Sequence, residues 1–518
     1  MAVSTNSVNS PPSKPSPAER PAVLCGLLLL AFAALVFVQS TGRALHSGDA
    51  AAHLNIARRL VDGQTLGYHQ IGTVWLPLPH LLFAPLVQYD PWWQNGLAGA
   101  IPSALAWVLA AFCFYLLLRQ FFSVPSSLAG LLAFATNLNL LYLAATPMTE
   151  TIFFASLLSL LYAAHRSTVG THPIRWAAFA GLAACAGTLT RYEGWFLLPF
   201  VALYLLLQTP HRRWPTVLVF CALAGAGPLY WLIHNAIFYS DPLEFYRGVD
   251  SARAILQRGL EKGYPPHPGD HDWPAAFRQF AIATKAVNGW PLLLLAACGL
   301  PFVLRQRPTA WLLFLMLLSP LFYVMSLHSG GTPIYVPEVY PFSHYNTRYA
   351  LAALPLLSFS LAGLAQALPV RAWLLGLVAS SWFLVSPVLT WNEADRNSRS
   401  RLAWTRHIGT LLTKLHRPGD GIFMPFGDLT ATLQFAGIPL RECLHNGDLL
   451  AFERVAARPD LFLRERWAIV IATDPPGEAL HRAVESGLPY SLLLRLSLKN
   501  APVVEVWQRR LPPVQSQP

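Results

Sequence analysis

The sequence predicts a polytopic α-helical membrane protein with about eleven transmembrane helices and a small α/β domain after the last of them. Composition is the first reason. Of 518 residues, 54% are hydrophobic and only 12% charged, with a mean hydropathy of +0.40; soluble domains carry about 25% charged residues. No single core could hold that much apolar surface, so much of it faces lipid. The second reason is spacing, since apolar segments recur from residue 22 to residue 389 between polar turns. The third is the segregation of charge between alternate loops. The net charge of +11 comes largely from arginines in short loops and in the C-terminal region, with no basic run of the kind a nucleic-acid partner requires.

Residues 1–20 are rich in Ser and Pro and are expected to form a disordered cytoplasmic N-terminus. The apolar stretch 22–38 lacks a signal peptide's cleavage region and reads as a retained first helix. Further spans fit 97–118, 127–145, 149–165, 175–190, 194–208, 216–238, 290–304, 309–327, 349–367 and 372–389. The segment 75–87 is apolar, but Pro77, Pro79 and Pro85 interrupt it, so it reads as an interfacial helix that does not cross. Parity supports that reading. The loops around Arg119, Arg166–Arg175, Arg212–Arg213, Arg305–Arg307 and Arg371 then all face the cytoplasm, each with Arg and none with Asp or Glu. The acids from Asp49 to Glu338 fall on the outer side.

The expected organisation is a membrane domain over 21–390, with a first outer loop at 40–96, followed by an extracytoplasmic α/β domain over 391–518. That domain should open with an amphipathic helix near Ser400–His416 and carry strands at Gly421–Phe426, Trp467–Thr473 and Pro502–Trp507. A further helix is expected near Gly477–Glu485. Five of the six cysteines lie in apolar segments, and only Cys443 lies in a hydrophilic region, so no disulfide framework is implied. Neither an internal repeat nor a nucleotide-binding glycine pattern is present.

Three acids sit at the mouths of membrane helices: Asp49, Glu150 and Glu193. Asp49 precedes an apolar stripe of Ala50, Leu54, Ala57 and Val61, the pattern of a helix lying flat on the membrane. It reads either as a helix cap or as a general base at the lipid–water boundary. His53 follows one turn on, placed to hydrogen-bond Asp49 or to share a metal with it, although two ligands do not make a site. Glu150 follows Thr146-Pro147, a helix-start signal, and either complements the helix dipole or belongs to a site. Thr190-Arg191-Tyr192-Glu193-Gly194 puts an Arg and an acid between apolar stretches with no long loop to solvate them. Charges so placed face a polar cavity or pair with one another. Arg191 suits an anion, because guanidinium matches phosphate geometry. Asn346-Thr347-Arg348-Tyr349 is a similar arrangement, with Arg348 at the mouth of the next span.

In these features the chain resembles the GT-C fold of polytopic glycosyltransferases that use polyprenyl-phosphate sugars. Within that fold it is most similar to the branch of protein O-mannosyltransferases and lipid A aminoarabinose transferases. That branch often has Thr-Lys-Gly-Pro followed by an apolar run ending in Pro; here Thr190 to Gly194, then Trp195 to Pro199, looks like a variant with Arg191 at the basic position. Arg348-Tyr349 to Pro355 matches a second pattern of the branch. Many members have paired acids where this chain has Asp49-Ala50, so a second carboxylate is missing there. The resemblance implies a polyprenyl-phosphate sugar donor, a lipid, glycan or protein acceptor, and inversion at the anomeric carbon. It makes Asp49 the base, with Glu150 as a second catalytic acid, and Arg191 and Arg348 the phosphate ligands. His53, Tyr192, Glu193 and Tyr349 would support them. No cofactor is required, a divalent metal stays open although the ligands do not support one, and the default location is a bacterial plasma membrane with the site outside. The alternatives are a flippase or transporter of a lipid-linked sugar, and a ligase of whole glycans.

Overall fold

The computed structural model describes residues 18–339, 344–368 and 371–510. The tail expected to be disordered lies outside the described residues up to position 17, and Glu19 and Arg20 already belong to the first helix, Glu19–Ser40. The described chain divides into two compact units. One holds residues 18–41, 73–79 and 100–393; the other holds 42–72, 80–99 and 394–510.

The first unit is helical, and the eleven expected spans fall on helices, although 127–145 and 372–389 are interrupted by non-helical residues and 349–367 opens as a 3-10 helix. Among the described residues, seven helices are long and apolar enough to cross a membrane, or up to nine if each of two bent pairs counts as one span. The apolar helix Glu193–Gln208 and the helix Pro173–Thr188 are shorter, at 16 residues each. The segment expected at 127–145 is broken: Val124–Ala135 and Leu138–Ala144 meet at 65°. Asn137 makes the break, because its Oδ1 accepts from the backbone N–H of Asn139 and Leu140 at 3.0 and 3.2 Å and so starts a new helix. A sharper bend of 108° separates Trp273–Asn288 from Trp290–Leu304, at Gly289 with φ +81° followed by Pro291. The outer region expected at 240–289 therefore ends in a 16-residue helix.

In the interrupted segment 75–87 only Leu78–Phe83 is helical, six residues in all. Its prolines keep it short. The backbone N–H of Leu78 donates to the carbonyl of Leu189 at 3.0 Å, tying this strip to the turn that carries Arg191.

The second unit contains a five-stranded sheet in the order β2-β1-β3-β5-β4. Its strands are β1 (Ile422–Phe423), β2 (Cys443–Leu444), β3 (Trp467–Ile471), β4 (Tyr490–Leu496) and β5 (Val504–Arg509). β1 runs parallel to both β2 and β3, while β5 is antiparallel to β3 and β4. Phe423, Leu444, Phe452, Leu463, Val470 and Leu480 form its core. The helices Arg399–Leu415 and Pro475–Glu485 fall where amphipathic spacing puts them, whereas β2 and β4 were not expected. Two residues are too few for periodicity to detect, and β4 leaves Leu492 and Leu493 both exposed, which breaks alternation.

Most of residues 40–96, expected as the first outer loop, belongs to this same unit. Asp62 accepts from Arg58 Nε at 2.7 Å, from the backbone N–H of Leu440 at 3.1 Å and from Arg441 Nη1 at 3.0 Å. Thr65 donates its hydroxyl to Asp448 at 2.7 Å, and Gln434 donates to the carbonyl of Trp93 at 2.6 Å. The helix Gly48–Arg59 is accordingly packed in protein: Ala50, Leu54 and Ala57 are buried there. The stripe read as a membrane-facing surface is a core face, and Val61, beyond the end of the helix, is exposed.

Candidate active site

The site in the first unit begins at the turn between Pro173–Thr188 and Glu193–Gln208. The turn is tight because the backbone N–H of Arg191 donates to the carbonyl of Gly187 at 3.0 Å and Thr190 Oγ1 donates to that of Ala186 at 2.7 Å. Gly194 permits this approach, since a Cβ there would lie 2.8 Å from the backbone of Gly187. The consequence is that Arg191 and Glu193 are held at the start of the second helix with little freedom.

Arg191 reaches three other elements. Its Nη1 donates to Thr149 Oγ1 at 2.9 Å and to Glu150 Oε1 at 3.3 Å, and its Nη2 donates to the Tyr323 hydroxyl at 2.6 Å. Its Nε lies 3.5 Å from Glu193 Oε1, an ion pair without a hydrogen bond. Arg348 approaches the same oxygen from the other side: its Nε donates to Glu150 Oε1 at 2.9 Å and its Nη2 donates to the Tyr349 hydroxyl at 3.2 Å. Two guanidinium groups therefore share one carboxylate oxygen.

Aromatic rings wall the cluster. Tyr323 and Tyr349 stack at 5.1 Å with 13° between planes, and the Tyr349 ring centre lies 4.9 Å from the Arg191 guanidinium and 4.7 Å from that of Arg348. Such contacts hold a guanidinium plane in place without neutralising it. Phe153, Phe154 and Ala352 complete the lining of a gap of about 10 Å³, room for roughly one water. The formal charges balance, two arginines against two glutamates, and Arg191 is the most accessible of the four side chains, at 15%. The second oxygen of Glu150 is buried without a hydrogen-bond partner among the described residues.

Arg348 is delivered by the short 3-10 helix Thr347–Ala353, which begins from Asn346 in the left-handed region at φ +56°. Glu393 accepts from the backbone N–H of Asn346 at 2.7 Å and of Thr347 at 3.2 Å, and from the Thr347 hydroxyl at 2.5 Å.

Of the residues singled out in the sequence, Glu150, Arg191, Glu193, Arg348 and Tyr349 come together. Tyr192 turns away: its hydroxyl donates to the carbonyl of Val74 at 2.8 Å and its ring stacks on Phe245 at 5.2 Å. It anchors the turn to the strip at 73–79. Asp49 and His53 belong to the second unit. Ser47, not Asp49, is the residue before the helix, so Asp49 sits half-buried in the first turn, where a carboxylate complements the dipole. His53 is buried, with its Nδ1 2.9 Å from Nε2 of the buried His80. Among the described residues, no three His, Cys, Asp or Glu side chains are grouped so as to hold a metal ion. Tyr323, Thr149 and Glu393 were not anticipated. Tyr323 lies within an apolar run, where an isolated Tyr carries no signal, and Glu393 falls just past the expected last span, at the start of the expected C-terminal domain.

Residues 93–231 match the family described as dolichyl-phosphate-mannose-protein mannosyltransferase. No curated protein sequence matches the chain. Two solved structures resemble it over nearly its whole length. The crystal structure of ArnT from Cupriavidus metallidurans bound to undecaprenyl phosphate superposes with a TM-score of 0.55 at 12% identity, covering 94% of this chain and 97% of ArnT. The apo form of the same protein gives 0.54 at 13% identity, covering 93% and 98%. The chain therefore has the GT-C fold of polytopic membrane glycosyltransferases.

Proposed function

We propose that the protein transfers a sugar from a polyprenyl-phosphate donor to an acceptor hydroxyl at the outer membrane face, with inversion. The observation that carries this reading is the convergence of Arg191 and Arg348 on Glu150 Oε1 in an aromatic-walled gap within a GT-C fold. Two guanidinium groups restrained by one carboxylate are ready to exchange it for a phosphate, which offers more acceptor oxygens. The present gap is too small for a phosphate, so donor entry must move the arginines off Glu150. Glu150 is then a positioning residue in the resting site, with Glu193 balancing the remaining charge. A structure of ArnT with undecaprenyl phosphate bound makes this class of lipid a natural choice of donor carrier.

In the reaction, Asp49 takes the proton of the acceptor hydroxyl as its oxygen attacks the anomeric carbon. The bond from that carbon to the phosphate oxygen breaks, and its electron pair leaves with the lipid phosphate. Arg191 and Arg348 stabilise the charge that develops there. The protein would sit in a bacterial plasma membrane, with the N-terminus in the cytoplasm and the residues after Thr390 outside. The test is to incubate purified protein with a polyprenyl-phosphate sugar and an acceptor fraction and to measure released lipid phosphate. Flipping of the lipid-linked sugar across liposomes, with no release, would instead make the protein a transporter.

A further inference from the structure

We infer that Glu393 is a positioning residue for the donor-phosphate site, fixing the turn that delivers Arg348. This rests on the reading of Arg348 as a phosphate ligand. Arg348 leaves the backbone one residue into a 3-10 helix, whose first N–H groups have no partner within the helix. The residue before that helix, Asn346, is held in the left-handed region, which costs a non-glycine residue on the order of 1 kcal/mol unless its surroundings over-determine it.

Two contacts do so. Asn346 Nδ2 donates to the carbonyl of Pro333 at 3.0 Å, and the Glu393 carboxylate accepts from the Asn346 and Thr347 backbones and from the Thr347 hydroxyl. Both carboxylate oxygens are used, and the side chain is buried. Glu393 comes from another helix, Leu389–Asn397, so the cap is a tertiary contact rather than a local one. It also attracts Arg348 electrostatically. Without the carboxylate, two backbone donors and a hydroxyl would be stranded in a buried place, and the turn would have to relax. A displacement of about 1 Å at a group that must meet a charge costs on the order of a hundredfold in rate.

The test uses full-length protein in detergent, titrated with undecaprenyl phosphate as the probe, alongside thermal unfolding. Arg348→Ala should weaken binding by about tenfold or more. Glu393→Gln should weaken it by a similar factor, because one acceptor becomes a donor facing the turn. The double variant should bind no worse than Arg348→Ala alone, since Glu393 acts only through Arg348. Should Glu393→Gln fail to fold, Thr347→Val removes one of the three hydrogen bonds with little change of shape and should weaken binding about threefold. Thr347→Ser, which keeps the hydroxyl, should recover that loss. The inference is overturned if folded Glu393→Gln binds as the wild type does, if Thr347→Val does so, or if the Glu393 and Arg348 penalties add. If Arg348→Ala itself leaves binding unchanged, the phosphate-site reading fails first.

Discussion

Replacing Arg191 by Ala separates the proposed phosphate ligand from a structural ion pair. In the resting site Arg191 donates to Thr149, Glu150 and Tyr323, so its loss removes three hydrogen bonds. Glu150 keeps Arg348 at 2.9 Å and is not stranded, while Glu193 loses a contact that was already long, at 3.5 Å. The expected cost to folding is therefore roughly 1–3 kcal/mol, below the ~3–5 kcal/mol of a buried pair cut in half. The cost to transfer should be larger, about 10²–10³ in rate, because the guanidinium gains most of its interaction as the leaving phosphate gains charge. Arg191→Lys retains the charge but not the planar fork that reaches Thr149 and Tyr323 together, and should recover part of the rate. The assay is lipid-phosphate release with thermal unfolding measured in parallel. The deciding variant is Arg191→Ala with Glu193→Gln, in which the charges balance again. A stable but inactive double variant supports phosphate binding; recovery of transfer would show that Arg191 serves only to pair with Glu193.

Asp49→Asn should fold normally and lose about 10²–10⁴ in rate as the general base is removed, and wild-type turnover in a well-expressed variant would leave Asp49 as a dipole partner only. Glu150→Gln should bind undecaprenyl phosphate at least as tightly as the wild type, because a competitor for the two arginines is weakened; a large loss of affinity would show that the carboxylate orients them in the bound state as well. Reporter fusions after Arg213 and after Thr390 should report opposite sides of the membrane, and the same side for both would undo the placement of the acids. In the second unit, burial holds the His445 imidazole down at about 4, against 6.5 when free, with Arg59 adding to the effect and Asp448 opposing it. Its Nδ1 accepts from the Gly447 backbone N–H at 3.0 Å, a bond only the neutral ring can make. Stability from this group is complete above about pH 6.5 and falls as pH drops towards 4. Thermal unfolding across that window should steepen for the wild type and flatten for His445→Gln.

What the sequence disclosed and what it hid follow from the range of the interactions involved. Span positions depend on local apolar content, and all eleven segments fall largely on helix. The break at Asn137 escaped that logic because a single polar residue in an apolar run reads as tolerated, although its side chain starts a new helix. At the site, charged residues in short apolar turns were conspicuous because lipid makes charge costly, and this flagged Arg191, Glu193 and Arg348. Their partners were not legible. Tyr323 has no local reason to be polar, and its value comes from Arg191, which is 132 residues away in sequence. Glu393 fell in the stretch assigned to the C-terminal domain, because only the fold brings it to Asn346 and Thr347. The same reason explains the helix after Ser47: an apolar stripe near a membrane reads as lipid-facing until a protein surface is found for it. Residues 42–72 gather with the sheet through Asp62, Thr65 and Gln70, polar side chains that carry no signal alone. In the first unit, polar side chains from separate elements also meet at Glu150, which Arg191 and Arg348 both reach. A cluster whose charges already cancel gains little stability from being buried. The proposed donor phosphate would give such a cluster a use, by replacing Glu150 between the two guanidinium groups.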